Sequence, residues 1–137
     1  MFRLDTKDLE AHILKEIEPI HGLINLKEFH FTKNSLGSEE GTYIFSDQQG
    51  YHFIYSERGN ETKHKLTDNL FEITFWTINS IVSSIAFDLM KKNIKKGENQ
   101  RKYIFEQRLI LLEKIGVNYK KAGEIEIDEI LKENPLE

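Results

Sequence analysis

Histidines are the side chains best able to act as general bases or metal ligands in this sequence, and there are five: His12, His21, His30, His52 and His64. No two of them are three or four residues apart, the spacing that places two ligands on one face of a helix. His52 and His64 fall in segments that we predict to be neighbouring strands, so the fold could bring these two together. Ordinary surface histidines are the simpler interpretation, and we predict no metal site.

The sequence carries none of the common catalytic signatures. It contains no cysteine, which excludes a thiol nucleophile, a disulfide framework and a zinc–thiolate site. It also has no G-x-S-x-G elbow, H-E-x-x-H zinc motif, P-loop or G-x-G-x-x-G loop. We therefore expect a protein that is not an enzyme and that carries no cofactor.

A second cluster of interest is Glu57-Arg58-Gly59, which closes an aromatic segment and opens a turn. A carboxylate and a guanidinium at adjacent positions can pair with each other, or they can orient a charged group of a partner. If Arg58 met Arg101 and Tyr51 in a deep pocket, the chain would be a small-ligand-binding domain. A turn with an incidental ion pair is the alternative that needs no function.

Charge is unevenly distributed, although its sum is a mild -4 from 19 lysines and arginines and 23 acidic residues. Residues 91–102 hold six cations and one anion, and residues 124–137 hold six anions and one cation. These segments either face water and attract each other, or one of them meets a partner of opposite charge. In the second case the acidic segment is a partner-binding site, with Glu126, Asp128 and Glu129 as its candidate residues. The acidic total disfavours nucleic acid as the partner.

The elements that position these residues follow from hydrophobic periodicity. A length of 137 residues suits a single domain, 1–137. A helix capped by Asp5 or Thr6 should end before Pro19, because proline disfavours helical geometry at the residue before it. Strand patterns separated by turns then occupy residues 29–31, 42–46, 51–55 and 61–66. They predict an antiparallel meander of three or four strands.

The pattern becomes helical after residue 68, with Thr67 or Asp68 as the expected N-cap. This helix includes an uncharged stretch of fifteen residues, 73–87, six of which are serine, threonine or asparagine. A membrane-spanning helix needs about 20 mostly apolar residues, so we predict a buried core helix with Trp76 in the core. No secretion signal opens the sequence, and we expect a cytoplasmic protein without a membrane partner.

Two further helices are predicted toward the C-terminus. The first spans about residues 98–115, with Arg108 at a position of its apolar seam and Gly116 as its C-terminal cap. The second is short and spans about residues 126–133. We therefore predict an α+β fold, in which the meander sheet packs on a long central helix and further helices lie at both termini.

Four pieces of the sequence occur in an order shared with a known protein family. They are the aromatic segment Tyr51 to Gly59, the pairs Phe75-Trp76 and Ala86-Phe87, the segment Gln100 to Glu106, and the closing segment Glu129 to Pro135. Together they resemble the immunity protein 63 family of bacterial polymorphic toxin systems, over roughly residues 40–136. The family-motif residues implied by the resemblance are Tyr51, Glu57, Arg58, Gly59, Trp76, Arg101 and Phe105.

The resemblance implies a cytoplasmic protein whose partner is a cognate toxin domain, which it blocks by forming a tight complex without chemistry of its own. In this sequence Lys102 stands where the family pattern has a second arginine. Because lysine lacks the planar fork of arginine, only Arg101 can make a bidentate contact there. The alternative function is a regulatory or structural protein-binding module of a prophage or stress operon.

Overall fold

The computed structural model of the protein describes residues 2–33, 39–57 and 60–136, and it has the predicted α+β class. The elements are α1 (Thr6–Glu16), a 3-10 helix (Glu18–Leu23), β1 (Phe29–His30), β2 (Gly41–Asp47), β3 (Gly50–Glu57), β4 (Asn60–Thr67), α2 (Leu70–Asn93), α3 (Gln100–Ile115) and α4 (Val117–Glu133).

The chain divides into two compact units. The first unit comprises Met1–Glu16 and Asn25–Ile78, and the second comprises Ile17–Ile24 and Asn79–Glu137. Helix α2 begins in the first unit and ends in the second. A single domain over residues 1–137 stays a prediction beside this division.

The first unit is built on a four-stranded sheet with the order β1-β2-β3-β4. Strands β2, β3 and β4 form the predicted antiparallel meander. The prediction was wrong for β1, which pairs parallel with β2 through Phe29 and Thr42. The reason lies at Gly41, where the amide of Thr42 donates to the carbonyl of Glu28 at 2.8 Å. A side chain at position 41 would lie 2.3 Å from that carbonyl oxygen, so only glycine admits β1 at this edge.

One face of the sheet packs on α1 and on the first turns of α2. Buried residues of this cluster come from the strands (Ile44, Tyr51, Phe53), from α1 (Leu9, Ile13) and from α2 (Ile73). Residues at alternate strand positions and residues four apart in the helix therefore pack in one core. This is what the periods of a strand and of a helix predict. Trp76 is half-buried against this cluster, and its ring meets that of Phe53 edge-on at 6.3 Å.

Side-chain oxygens cap the helices of the first unit. Asp5 caps α1 as predicted, accepting the Asp8 amide at 2.8 Å. For α2 the prediction of Thr67 or Asp68 was wrong, because Asn69 accepts the Glu72 amide at 2.8 Å. The hydroxyl of Thr67 instead accepts the amide of Asn69 at 3.0 Å, so it supports the residue that caps.

Helix α4 of the second unit is longer than predicted, since it starts at Val117 rather than near residue 126. Tyr119, Gly123 and Ile127 are its buried residues, and they recur every four positions. A side chain at position 123 would lie 2.5 Å from the Leu112 side chain of α3. The glycine that weakens the local helical signal is therefore the residue that lets α4 approach α3.

Helix α2 is long and apolar enough to cross a membrane by length and composition, a test that core helices also pass. In this structure its residues Ile73, Ile78, Ile81 and Val82 are buried within the protein. Thr77 is also buried, and its hydroxyl donates to the carbonyl of Ile73 at 2.9 Å.

Candidate functional site

The family-motif residues of the first unit have different surroundings. Tyr51 is buried, and its hydroxyl accepts the backbone amide of Leu4 at 2.8 Å. The ammonium of Lys65 lies 4.0 Å above the ring of Trp76, which is a cation–π contact. Both contacts lie within the first unit and support its fold.

The end of β3 is where the sequence suggested a charged recognition cluster. Glu57 is exposed there. Burial of the Tyr55 phenol, together with the nearby negative charge of Glu57, raises the pKa of Tyr55. Arg58 and Gly59 lie outside the described residues, so their role stays a prediction.

Arg101 and Phe105, the motif residues of α3, lie against the end of α4. The Nη2 group of Arg101 donates to the carbonyl of Asn134 at 2.8 Å, and its guanidinium lies 5.5 Å from the ring centre of Phe105. Two separate pieces of the family pattern, residues 100–106 and 129–135, therefore meet in the fold. Through this one nitrogen, Arg101 supplies a hydrogen-bond donor to a carbonyl at the C-terminal end of α4.

A buried polar network joins three helices of the second unit, and the sequence did not predict it. Arg108 is 5% exposed. Its Nη2 group donates to Asn79 of α2 at 2.7 Å and to a carboxylate oxygen of Glu126 on α4. The amide of Asn79 donates to the second oxygen of Glu126 at 2.8 Å. The available signal was an arginine at an apolar seam position, since a buried arginine needs a partner.

The three acidic candidates of α4 therefore have unequal roles. Glu126 is committed to Arg108 within the chain, whereas Asp128 and Glu129 are exposed. Among the described residues, no ion pair joins the basic segment 91–102 to the acidic segment 124–137. The remaining acids of α4 thus keep their charge available to a partner.

A chain of titratable side chains lies on the sheet face opposite the core of α1 and α2. A carboxylate oxygen of Asp47 lies 2.8 Å from His52 Nε2, and His52 Nδ1 lies 3.0 Å from His64 Nε2. The predicted approach of the two histidines on neighbouring strands is confirmed. Because an ionised carboxylate only accepts, His52 donates from Nε2, and a neutral His52 then accepts at Nδ1 from His64 Nε2. The ring of His52 is also stacked on Phe45 at 4.5 Å.

This histidine pair does not extend into a larger ligand set. Within the described ranges, no group of three or more histidine, cysteine, aspartate or glutamate side chains could hold a metal ion. His52 is 3% exposed, and both of its ring nitrogens are used by Asp47 and His64. The arrangement ties the β2–β3 turn to β4, and it is best described as a structural link between strands.

Asp47 makes the stability of this link depend on pH. Burial raises the pKa of its carboxyl, but hydrogen bonds from His52 and from the Gln49 amide outweigh burial and lower the pKa below its ordinary value of 3.8. A lowered pKa in the folded state contributes stability above the unfolded pKa of about 3.9, and this stability is lost as the pH falls through the folded value.

We expect Asp47→Asn to lower the free energy of unfolding by about 1 kcal/mol at pH 7. The difference from the unmodified protein should shrink as the pH falls below the unfolded pKa of about 3.9 and through the lowered pKa of Asp47 in the folded state. Urea unfolding at a series of pH values measures this difference. A gap that keeps the same size down to about pH 2.5 would contradict the assignment.

A concave surface of the second unit lies between α3 and α4, and we call it the α3–α4 groove. It consists of two adjoining depressions that share Leu109 and Glu124, and the larger has a volume of about 520 Å³. Its apolar lining residues are Leu109, Ile110, Ile125 and Ile127, and its acidic ones are Glu106, Glu113, Glu124 and Asp128. Ile110 and Ile125 are 47% and 62% exposed.

Comparison with known proteins identifies the family. The family model described as immunity protein 63 matches residues 47–129, which is more than half of the chain. The chain belongs to the immunity protein 63 family. No curated protein and no solved structure matches it.

The immunity-protein match begins at the β2–β3 turn and ends in α4. It contains the Asp47–His52–His64 link, the Arg108 network and every residue that lines the α3–α4 groove. The family resemblance noted from the sequence is thereby confirmed, and the groove lies within the part of the chain that defines the family.

Proposed function

We propose that this immunity protein neutralises a cognate toxin domain of a polymorphic toxin system by direct binding, one molecule to one, in the cytoplasm and without catalysis. The observation that carries the proposal is the family match over residues 47–129. An immunity protein of this family has a toxin as its natural partner.

The surroundings of the polar side chains support binding rather than turnover. The side chains best able to act in catalysis or ligand binding are His52, Arg101 and Arg108. Each of them makes hydrogen bonds within the chain. Tyr51, a residue of the alternative ligand pocket, is buried, and its hydroxyl accepts the backbone amide of Leu4. By contrast, the exposed apolar and acidic side chains of the α3–α4 groove have the chemistry of a protein interface.

The stoichiometry of inhibition separates binding from catalytic inactivation. We expect the toxin domain encoded beside this gene to lose its activity in proportion to added immunity protein, with full inhibition near a one-to-one ratio. The same pair should co-purify as a complex, and co-expression should restore growth of cells that express the toxin domain. Full inhibition at a small fraction of the toxin concentration would indicate an enzyme instead.

Failure of co-expression to rescue growth, together with absence of a complex, would contradict the proposal. Affinity purification from native cells then distinguishes the alternative. Recovery of a regulatory or structural protein in place of a toxin would identify a binding module of another operon.

A further inference from the structure

The acids around the α3–α4 groove have few counter-charges. Glu113 of α3 is paired with Lys120 of α4 at 3.2 Å. Glu106, Glu124 and Asp128 have no ion pair with any residue in the described part of the chain. Lys121 is the remaining cation of the lining, so three unpaired carboxylates outnumber one ammonium at the groove.

Two apolar side chains of the groove are largely exposed to water. Ile125 projects from α4 with 62% of its surface exposed, and Ile110 projects from α3 with 47% exposed. Burying an isoleucine side chain contributes about 1.5–3 kcal/mol relative to leaving it exposed. Leu109 lines both depressions, whereas Ile127 lines the larger one and is itself buried. Exposed apolar surface bordered by charged side chains is found in protein–protein interfaces.

We propose that the α3–α4 groove is the toxin-binding surface, and that the toxin presents to it a basic patch surrounding one apolar side chain. The apolar side chain packs against Leu109 and Ile125, which line the same depression, and the basic groups face Glu106, Glu124 and Asp128. This assignment rests on the proposed function and adds the surface and the chemistry of the partner.

Charge selects a basic protein over the other occupants of such a groove. A second copy of this chain, docked through the same groove by two-fold symmetry, would bring acids against acids. Nucleic acid and anionic membranes would likewise be repelled by the unpaired carboxylates. A basic protein surface gains from these charges and also covers the exposed isoleucines.

The helical position of each acid provides matched controls. Glu124 and Asp128 are one turn apart on the flank of α4 that faces the groove. Glu133 follows Glu124 by about two and a half turns, so it lies on the opposite flank of the same helix. For the apolar contact, Leu23 of the 3-10 helix is 51% exposed and serves as the control for Ile125.

The test compares the affinities of four variants for the purified toxin domain encoded by the adjacent gene. The double charge reversal Glu124→Lys with Asp128→Lys should weaken binding by about 100-fold, and Ile125→Asp should weaken it by at least about 10-fold. Glu133→Lys and Leu23→Asp should stay within about twofold of the unmodified protein. Raising the salt from about 50 to about 300 mM should weaken the unmodified complex more than the charge-reversed one. Urea unfolding of each variant verifies that it is folded.

The two proposals fail in different ways. If the unmodified protein binds the toxin domain but the groove variants bind equally well, the groove assignment is overturned and the proposed function stands. If the unmodified protein neither binds nor rescues, the proposed function fails and the groove assignment fails with it.

Discussion

Replacement of Glu126 with alanine is expected to lower the free energy of unfolding by about 3 kcal/mol. Arg108 is buried, and Glu126 supplies the charge that compensates it. Removing one partner of a buried ion pair leaves the other charge without compensation, a loss that typically amounts to about 3–5 kcal/mol. We choose the lower end because the side chain of Glu126 is 39% exposed, so water reaches part of the pair.

Urea unfolding measures this loss, with the change read from the midpoint at an unchanged slope. Glu129→Ala is the control, since Glu129 is exposed on the same helix, and its effect should stay within about 0.5 kcal/mol. Replacing the whole network by Asn79→Leu, Arg108→Met and Glu126→Leu should recover most of the lost stability, because no buried charge is then left unpaired. Equal losses for Glu126→Ala and Glu129→Ala would contradict the role assigned to the network.

The buried network also separates the three acidic candidates for the proposed toxin contact. The order of charged residues in the sequence did not distinguish Glu126, Asp128 and Glu129 as candidates for partner binding. The structure places Asp128 in the α3–α4 groove and commits Glu126 to Arg108. We therefore expect folded Glu126→Ala protein to lose less affinity for the toxin domain than the groove variants do.

Gly41→Ala is the second substitution with a large expected effect, a loss of at least about 3 kcal/mol. The backbone of Gly41 has a φ of +135°, a conformation that costs other residues about 1–3 kcal/mol. The added methyl group would also lie 2.3 Å from the carbonyl oxygen of Glu28. That oxygen accepts the Thr42 amide, so the clash would separate β1 from β2.

Two other glycines separate these contributions. Gly97 also has a positive φ, +91°, but an added side chain there would meet no atom within 4 Å. Gly97→Ala should therefore show the backbone strain alone, about 1 kcal/mol. Gly22→Ala has neither the strain nor a close atom, and it should be neutral or slightly stabilising. If Gly41→Ala cost no more than Gly97→Ala, the close approach of β1 would be contradicted.

Local sequence patterns were sufficient for the types of most elements. Tyr51 and Phe53 alternate in a strand, and Leu9 and Ile13 are one helical turn apart, so each pair shows its own period. The approach of His52 and His64 was predictable for the same reason, since neighbouring strands of a hairpin bring fixed positions together. The first residues of the helices were harder to predict. Asn69 caps α2, although Thr67 or Asp68 was the expected cap.

Two features of the fold depended on contacts that local patterns do not contain. The first half of α4 was missed because Gly123 weakens the helical pattern of the sequence. The lack of a side chain at Gly123 lets Leu112 of α3 pack closely against α4, and the local pattern does not show this contact. The parallel pairing of β1 was missed because alternating side chains are equally compatible with either strand direction, and because the close approach of Glu28 to Gly41 is a contact between separate segments.

The sequence by itself determined the class of fold, the immunity protein family and the presence of an acidic segment near the C-terminus. Only the tertiary structure decided which acids of that segment are neutralised within the chain and which line a groove. Side-chain order along α4 shows neither the buried Arg108 of α3 nor Asn79 of α2, because these residues are remote in sequence and meet Glu126 only when the three helices pack. The division between a stabilising carboxylate and carboxylates available to a partner is therefore a property of the assembled fold.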